Sequence, residues 1–319
     1  MEKEIFDLYN KDKYIESLGE YENRTINNIK RTIKQAAEYE KLKQKCLYDW
    51  NIEEICTYYK TLNSASISYL RSVNSILSQY TMWCLRNGIV KDSLNHFKEI
   101  TLEMYKNCIN NQRVKSQIIK RNDLISNIDV LLSNPSDKFL MLAIFEGLKG
   151  SNFDELTNLN TDSFFKKDSI LYVKTNNRIT EISEKLYNYA IEASERYTYD
   201  GLGELGSQQN GKAIKLCDNI GISIIKDYTN VKSQDDFRRG RRIYVRFKKL
   251  CERFELSGKM NVKDLYESGR IDYITKIANA KGISKKEVLK NESELIYKKY
   301  TEKYNYPEYV MKYADYLTD

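Results

Sequence analysis

The chain has 319 residues, 52 Lys+Arg against 45 Asp+Glu, a net charge of +7 and a mean hydropathy of −0.64. With 41% hydrophobic residues it can fill two ordinary cores, yet it holds no apolar run near the roughly 20 residues a membrane span needs. One histidine and six cysteines without a Cys-x-x-Cys pair argue against zinc sites and histidine-based triads, so no metal and no cofactor is expected.

The opening Met1-Glu2-Lys3-Glu4-Ile5 is charged, unlike a signal peptide, and the scattered Cys46, Cys56, Cys84, Cys108, Cys217 and Cys251 read as reduced thiols. A cytoplasmic protein is the expectation. Only two prolines and 13 glycines predict a mostly helical chain. The lone His96, in a polar stretch after Gly88, reads as a surface residue. The 26 tyrosines suit cores, phosphates and base faces alike, so the count does not choose among them.

In chain order, a capping-type start at Asn23-Arg24-Thr25 predicts a long helix to about Lys45, with Ile26, Ile29, Ile33, Ala36 and Ala37 at helical spacing. A short helix follows over Ile52–Tyr59. Another starts after Asn63-Ser64-Ala65-Ser66 and runs to Asn87-Gly88, and a fourth covers Leu102–Ile109. Residues 1–110 are thus predicted to form a compact helical domain of four or five helices. Residues 111–120, polar and basic without a period, read as a linker, and 121–319 as the second domain. That domain opens with helices at Asp123–Leu132 and Asp137–Leu148. Ser169–Lys174 and Arg178–Ile182, around Thr175-Asn176-Asn177, read as a β-hairpin. Helix returns at Glu184–Arg196, and from about Ile222 to the end the pattern is helical, Pro307 introducing the last segment.

The most distinctive stretch is Phe237–Lys249, with seven basic residues and no acidic one, which matches the net charge of the whole chain. Ile243, Phe247, Leu250 and Phe254 recur at +4, +3 and +4 as an apolar stripe. Arg239, Arg242, Arg246 and Lys249 recur at +3, +4 and +3 as a basic ridge beside it. Such a helix buries one edge and offers the other to a polyanion. The competing reading is a solvated basic face, disfavoured by the five arginines and the missing acidic neighbours.

Between these elements lie two phosphate-loop look-alikes: Gly201-Leu202-Gly203-Glu204-Leu205-Gly206, and Gly206-Ser207-Gln208-Gln209-Asn210-Gly211-Lys212-Ala213. Neither follows a buried strand, since Arg196–Asp200 does not read as one, and Ala213 lacks the hydroxyl that binds Mg²⁺. A surface loop is the better reading.

Helices, a basic linker, more helices, a small hairpin and a helical C-terminus resemble the tyrosine recombinases, or phage integrases, over most of the chain. The local match begins at Phe145-Glu146-Gly147-Leu148-Lys149 and continues to Asp154-Glu155-Leu156. It resembles the family's first box, whose catalytic arginine falls on Lys149. The family's hairpin lysine falls on Lys174 or Arg178. The second box, His-x-Leu-Arg, resembles Lys263-Asp264-Leu265-Tyr266, which puts Lys263 at the histidine and Tyr266 at the second arginine. Tyr297, Tyr300, Tyr304 and Tyr306 lie in the nucleophile zone.

The resemblance implies a mainly α fold with a small β-sheet: a helical core-binding domain followed by an integrase catalytic-like domain. It also implies a double-stranded DNA partner. In the family, paired arginines stabilise the phosphoryl oxygens while tyrosine attacks. With both arginines and the histidine replaced, the expectation is a DNA binder that is not an enzyme. It would bind through Arg238, Arg239, Arg241, Arg242, Arg246 and Lys249 of the basic helix. In the first domain, Arg24, Thr25, Asn28, Arg31, Ser64, Ser66, Ser68 and Arg71, near two helix starts, are the candidates. The whole resembles the integrase-derived lysogeny repressors of SPbeta-type Bacillus phages, which implies a transcriptional repressor, with a phage antirepressor protein as one possible releasing partner beside a peptide signal or DNA damage. The alternatives are an active divergent recombinase and an interaction partner of another recombinase. Operator and oligomeric state are not legible.

Overall fold

The structure, a computed structural model, describes residues 6–19, 21–90, 94–176, 178–200, 214–217, 223–228, 235–254 and 260–318. It divides into two compact units, one of residues 1–114 with 307–312 and one of residues 115–306 with 313–319.

In the first unit, α1 (Leu8–Glu16), α2 (Asn23–Lys43), α3 (Ile52–Thr61), α4 (Ile67–Arg86) and α5 (Leu102–Cys108) follow one another, α4 lying against α1, α2 and α5. The local chemistry fixes the starts. Asn51 Oδ1 accepts from the Glu54 amide and Glu54 accepts from the Asn51 amide, both at 2.9 Å, a capping box that opens α3. Ser66 Oγ accepts from the Tyr69 amide at 3.2 Å and opens α4. By contrast α2 begins on Glu22 with no side-chain cap, so Asn23-Arg24-Thr25 is not the cap expected. Helix α1 escapes the periodicity because it buries only Lys11 and Tyr14.

Much of the tyrosine excess is structural. Tyr39, Trp50 and Tyr58 meet with ring centroids 5.1–5.4 Å apart, and Tyr59 stacks on Tyr105 at 5.9 Å. Aromatic pairs at this spacing add to plain area burial.

The segment read as an aperiodic linker contains α6 (Asn111–Ser116), which buries Val114. The second unit continues with α7 (Arg121–Leu131) and α8 (Pro135–Phe145). Pro135 takes the first turn of α8, where its missing N–H costs nothing. All of α8 but Lys138 is buried, so this helix is the centre of the unit rather than one side of it. A short α9 (Asp154–Thr157) leads into β1 (Phe164–Lys167), β2 (Ile170–Lys174) and β3 (Ile179–Ile182), an antiparallel sheet in that order. The expected hairpin is β2–β3, in the register Lys174 to Ile179, and β1 extends it.

Helix α10 (Glu184–Glu195) packs on α8. A second small sheet follows, of β4 (Thr198–Tyr199), β5 (Ile214–Cys217) and β6 (Asp227–Tyr228). Within Arg196–Asp200 only the two residues of β4 are strand, and Thr198 is exposed, so the stretch is not a buried strand. Tyr199 is fully buried because its hydroxyl donates to the Asp137 carboxylate at 2.6 Å. The helical pattern expected from Ile222 begins only at α11 (Asp236–Arg253), after β6. Both phosphate-loop look-alikes fall at 201–213, outside the described residues.

The chain closes with α12 (Val262–Lys281), α13 (Lys285–Asn291), α14 (Ser293–Lys299), α15 (Tyr306–Lys312) and α16 (Ala314–Leu317). Helix α12 crosses α8 so closely that a Cβ on Gly269 would lie 1.6 Å from the Phe145 carbonyl oxygen. Among the described residues no helix is long and apolar enough to cross a membrane, and no group of His, Cys, Asp or Glu could hold a metal ion.

Candidate nucleic-acid interface

Helix α11 starts where Asp235 accepts from the Arg238 amide at 2.9 Å. As expected, its apolar stripe of Ile243, Phe247, Leu250 and Phe254 is buried in the unit's core. The basic ridge is not where it was expected. Arg239 is 4% exposed and donates to the Thr157 carbonyl and, at 3.2 Å, to Asn158 Oδ1. Arg246 is 8% exposed; it forks onto buried Asp137 and Ser136 Oγ and lies 4.8 Å over the Tyr199 ring. Arg242 binds both oxygens of Asp227, at 3.0 and 2.9 Å.

Three ridge arginines are thus spent on the unit's own carboxylates and carbonyls, and the expectation that they form the outward edge is corrected. The reason is periodicity. Arg239, Ile243, Arg246 and Leu250 are spaced +4, +3 and +4, the same core-facing line as the apolar stripe.

The outward line is the opposite one. Arg238, Arg241, Val245 and Lys248 recur at +3, +4 and +3 and are all exposed, with Tyr244 beside them. Arg238 pairs with Asp235 at its own helix start at 3.2 Å. Arg241 and Lys248 form no ion pair with a described residue. Lys249 is half-buried at the edge of this line. Sequence reasoning missed Lys248, which carries charge on the outward line.

The first box and the hairpin meet in a second place, a cleft of about 840 Å³ lined by Lys149 and Arg178. Lys149 arrives there after the chain turns at Gly147, whose φ of +91° and close approach to the Lys299 carbonyl exclude a side chain. Its Nζ sits 5.1 Å above the ring of Tyr266, so the positions matched to the two family arginines are neighbours. Lys149 is ion-paired with Glu302. Arg178, not Lys174, comes from the hairpin into the cleft. Lys174 is exposed and lines a different hollow, with Asn160 and Asp162. The Arg178 guanidinium donates to both oxygens of Glu155 at 2.6 and 2.9 Å, to the Lys298 and Lys299 carbonyls at 2.9 and 2.5 Å, and to the Gly147 carbonyl at 2.6 Å. A guanidinium has five N–H donors, and all five are used.

Tyr266 is buried, and that burial pushes its phenol above the usual range. Lys263 is exposed and does not line the cleft. Among the nucleophile-zone tyrosines, Tyr300 is buried, donates to the Phe145 carbonyl at 2.8 Å and has its ionisation raised well above normal by burial. Tyr304 donates to the Leu289 carbonyl at 2.8 Å. Tyr306 is exposed at the start of α15. Only Tyr297 of the four, 45% exposed, lines the cleft. The carboxylates Glu155 and Glu302 escaped sequence reasoning, as did Arg270, which is buried one turn after Tyr266 and bonds both oxygens of Glu267 at 2.9 and 3.0 Å.

In the first unit, Arg24, Thr25, Asn28 and Arg31 are exposed along α2, and Ser68 on α4. Ser64 and Ser66 are spent locally: Ser64 Oγ accepts from the Ser66 amide at 3.0 Å, and Ser66 caps α4. Arg71 is ion-paired with Glu308 of α15. His96 is half-exposed and lies 3.1 Å from Glu99.

No curated protein matches the chain at the sequence level. Among solved structures it is similar to a lambda integrase (75–356) dimer bound to a COC′ core site, at 13% identity and a TM-score of 0.40, over 95% of this chain and 94% of that one. Two family descriptions match: residues 5–86 the "MrpR, N-terminal core-binding domain" and residues 119–318 the "MrpR, C-terminal catalytic domain". With both in order and most of its length accounted for, the chain belongs to the MrpR family, with a core-binding domain followed by a catalytic domain.

Proposed function

We propose that the chain is a sequence-specific double-stranded DNA-binding protein that acts as a phage transcriptional repressor maintaining lysogeny, and that it does not cut DNA. The observation that carries the second half is the state of the cleft. Displacement at a phosphodiester by tyrosine needs cationic forks aimed at the phosphoryl oxygens, and each lost donor lowers the rate by about 10²–10³. Here the cations are committed before any DNA arrives. Lys149 is held by Glu302, every donor of Arg178 is occupied, and Tyr266 offers a neutral phenol. The carboxylates of Glu155 and Glu302 would also repel a phosphate. Binding needs no such site. It draws on the exposed Arg238, Arg241 and Lys248, where arginine can reach guanine edges as well as phosphates. Repression is what the integrase-derived lysogeny regulators, which this chain resembles, add to DNA binding.

One observation favours a rival, a divergent recombinase: Tyr297 lines the same cleft as Lys149 and Arg178. Incubation with nicked suicide duplexes, chosen by selection from the host phage genome, separates the two. Retarded complexes without a covalent adduct are expected. An adduct that disappears in Tyr297→Phe would establish the recombinase and overturn the repressor reading.

A further inference from the structure

One acidic partner of α11, Asp227, is itself firmly built. Asp227 stands at the start of β6, directly after Lys226. Lys226 is buried and donates to the carbonyls of Ala193, Ser194 and Arg196 at the end of α10, the first and last of these at 3.2 and 3.1 Å, with its Nζ 4.0 Å from the Tyr197 ring. Ile224 and Ile225 before it are buried too. The backbone carrying Asp227 is therefore pinned to α10 and to the core, and its carboxylate is presented to α11 from a fixed post. There it takes the Arg242 fork through both oxygens and lies 3.5 Å from Arg239 Nε.

The two arginines differ in reach. Arg239 is enclosed and also tied to Thr157 and Asn158, whereas the Arg242 side chain is 29% exposed. Arg242 and Asp227 both line an open cavity of about 650 Å³ whose rim holds Arg238 and Arg241 of the outward line. An incoming anion can therefore reach the pair. A bidentate carboxylate–guanidinium pair has the geometry that a phosphate would also use.

We propose that Asp227 is an intramolecular competitor for DNA phosphate. It withholds the Arg242 fork from duplex in general and so lowers sequence-independent affinity, leaving recognition to the outward residues. The inference rests on the DNA-binding reading and names a residue that sets its selectivity. On arbitrary sequence the wild-type protein engages phosphates through the outward cations alone. When the carboxylate is removed, the Nε and Nη2 donors of Arg242 that it held become available to one phosphate on any duplex.

The test is binding of the full-length protein to a 30-bp mixed-sequence duplex, followed by fluorescence anisotropy across a salt series. Asp227→Asn keeps an oxygen acceptor and the side-chain size. It should tighten binding roughly tenfold at low salt and steepen the slope of log K against log salt by about one unit, the signature of one added phosphate contact. In an Arg242→Gln background the same substitution should change neither quantity, which separates release of Arg242 from the loss of a repulsive charge. Thermal melts of each variant exclude unfolding as the cause, and Asp227→Glu, which restores the charge, should return affinity toward wild type. Unchanged or weaker binding by Asp227→Asn overturns the inference while leaving DNA binding intact. So does a gain that survives Arg242→Gln. Failure of the wild-type protein to bind any duplex at low salt overturns the DNA-binding reading itself, and this inference with it.

Discussion

Truncating Arg246 to alanine separates the two edges of α11. The guanidinium bonds Asp137, whose side chain is fully buried, and Ser136 Oγ, and it stacks over Tyr199. Without it Asp137 keeps the Tyr199 hydroxyl at 2.6 Å but loses the Arg246 guanidinium in the middle of the unit. Removing one partner of a buried ion pair costs about 3–5 kcal/mol, most of it the penalty of the stranded charge. For a domain of about 150–250 residues each kcal/mol moves Tm by about 2–4 °C, so Arg246→Ala should melt about 6–20 °C below wild type. Arg241, on the outward line and without an ion pair to any described residue, should cost about 0.5 kcal/mol or less when truncated. Thermal and urea unfolding of the two variants, followed by circular dichroism, makes the comparison within one helix. The reasoning is refuted if Arg246→Ala melts within about 1 °C of wild type, or if Arg241→Ala falls as far.

The complementary experiment is Arg238→Ala/Arg241→Ala/Lys248→Ala, which should keep the wild-type Tm and lower the salt slope of duplex binding by about three units; an unchanged slope would move the interface elsewhere. Gly269→Ala places a methyl 1.6 Å from the Phe145 carbonyl, backbone that cannot swing aside, and should destabilise by about 3 kcal/mol in urea titration. Glu146 is buried, which by itself raises its carboxyl, but Lys299 and Arg121 overcome burial and hold it below the usual value of 4.5. A depressed folded value gives stability that is present above about pH 4.5 and is lost as pH falls through it. The Tm gap between wild type and Glu146→Gln should therefore shrink in acid, and a gap that widens there would reverse the assigned sign.

What could be read in advance follows from which forces are local. Helix spans, the Asn51 and Ser66 caps and the β2–β3 hairpin depend on neighbours within a few residues, and their patterns stand in the sequence. Two of the box positions are neighbours in the fold, the Lys149 ammonium lying over the buried Tyr266 ring. The direction of the arginines was not legible. Arg246 points inward because of Asp137, 109 residues away, and Arg242 turns to Asp227, 15 residues away. A run without acidic neighbours looks like a free polyanion surface until the fold delivers acids from elsewhere. One clue was available: Arg239 and Arg246 share the helical line of Ile243 and Leu250, and a charge on a core line needs a buried partner. The resemblance offered Arg178 beside Lys174, but nothing foretold its five acceptors, which come from Glu155, Gly147 and the end of α14.

The contact at Gly240 has a mechanical consequence. A Cβ there would lie 2.0 Å from the Asn152 carbonyl oxygen, and Asn152 Nδ2 donates to the Phe237 carbonyl at 3.3 Å. Asn152 also lines the cleft that holds Lys149 and Arg178. The basic helix and the floor of that cleft therefore share a seam with no room for a side chain on Gly240, closed by the hydrogen bond of the Asn152 side chain. Neither can roll or slide without carrying the other, so the two places behave as one rigid tool, and the pose of the outward arginines is set as much by the cleft as by the core beneath them.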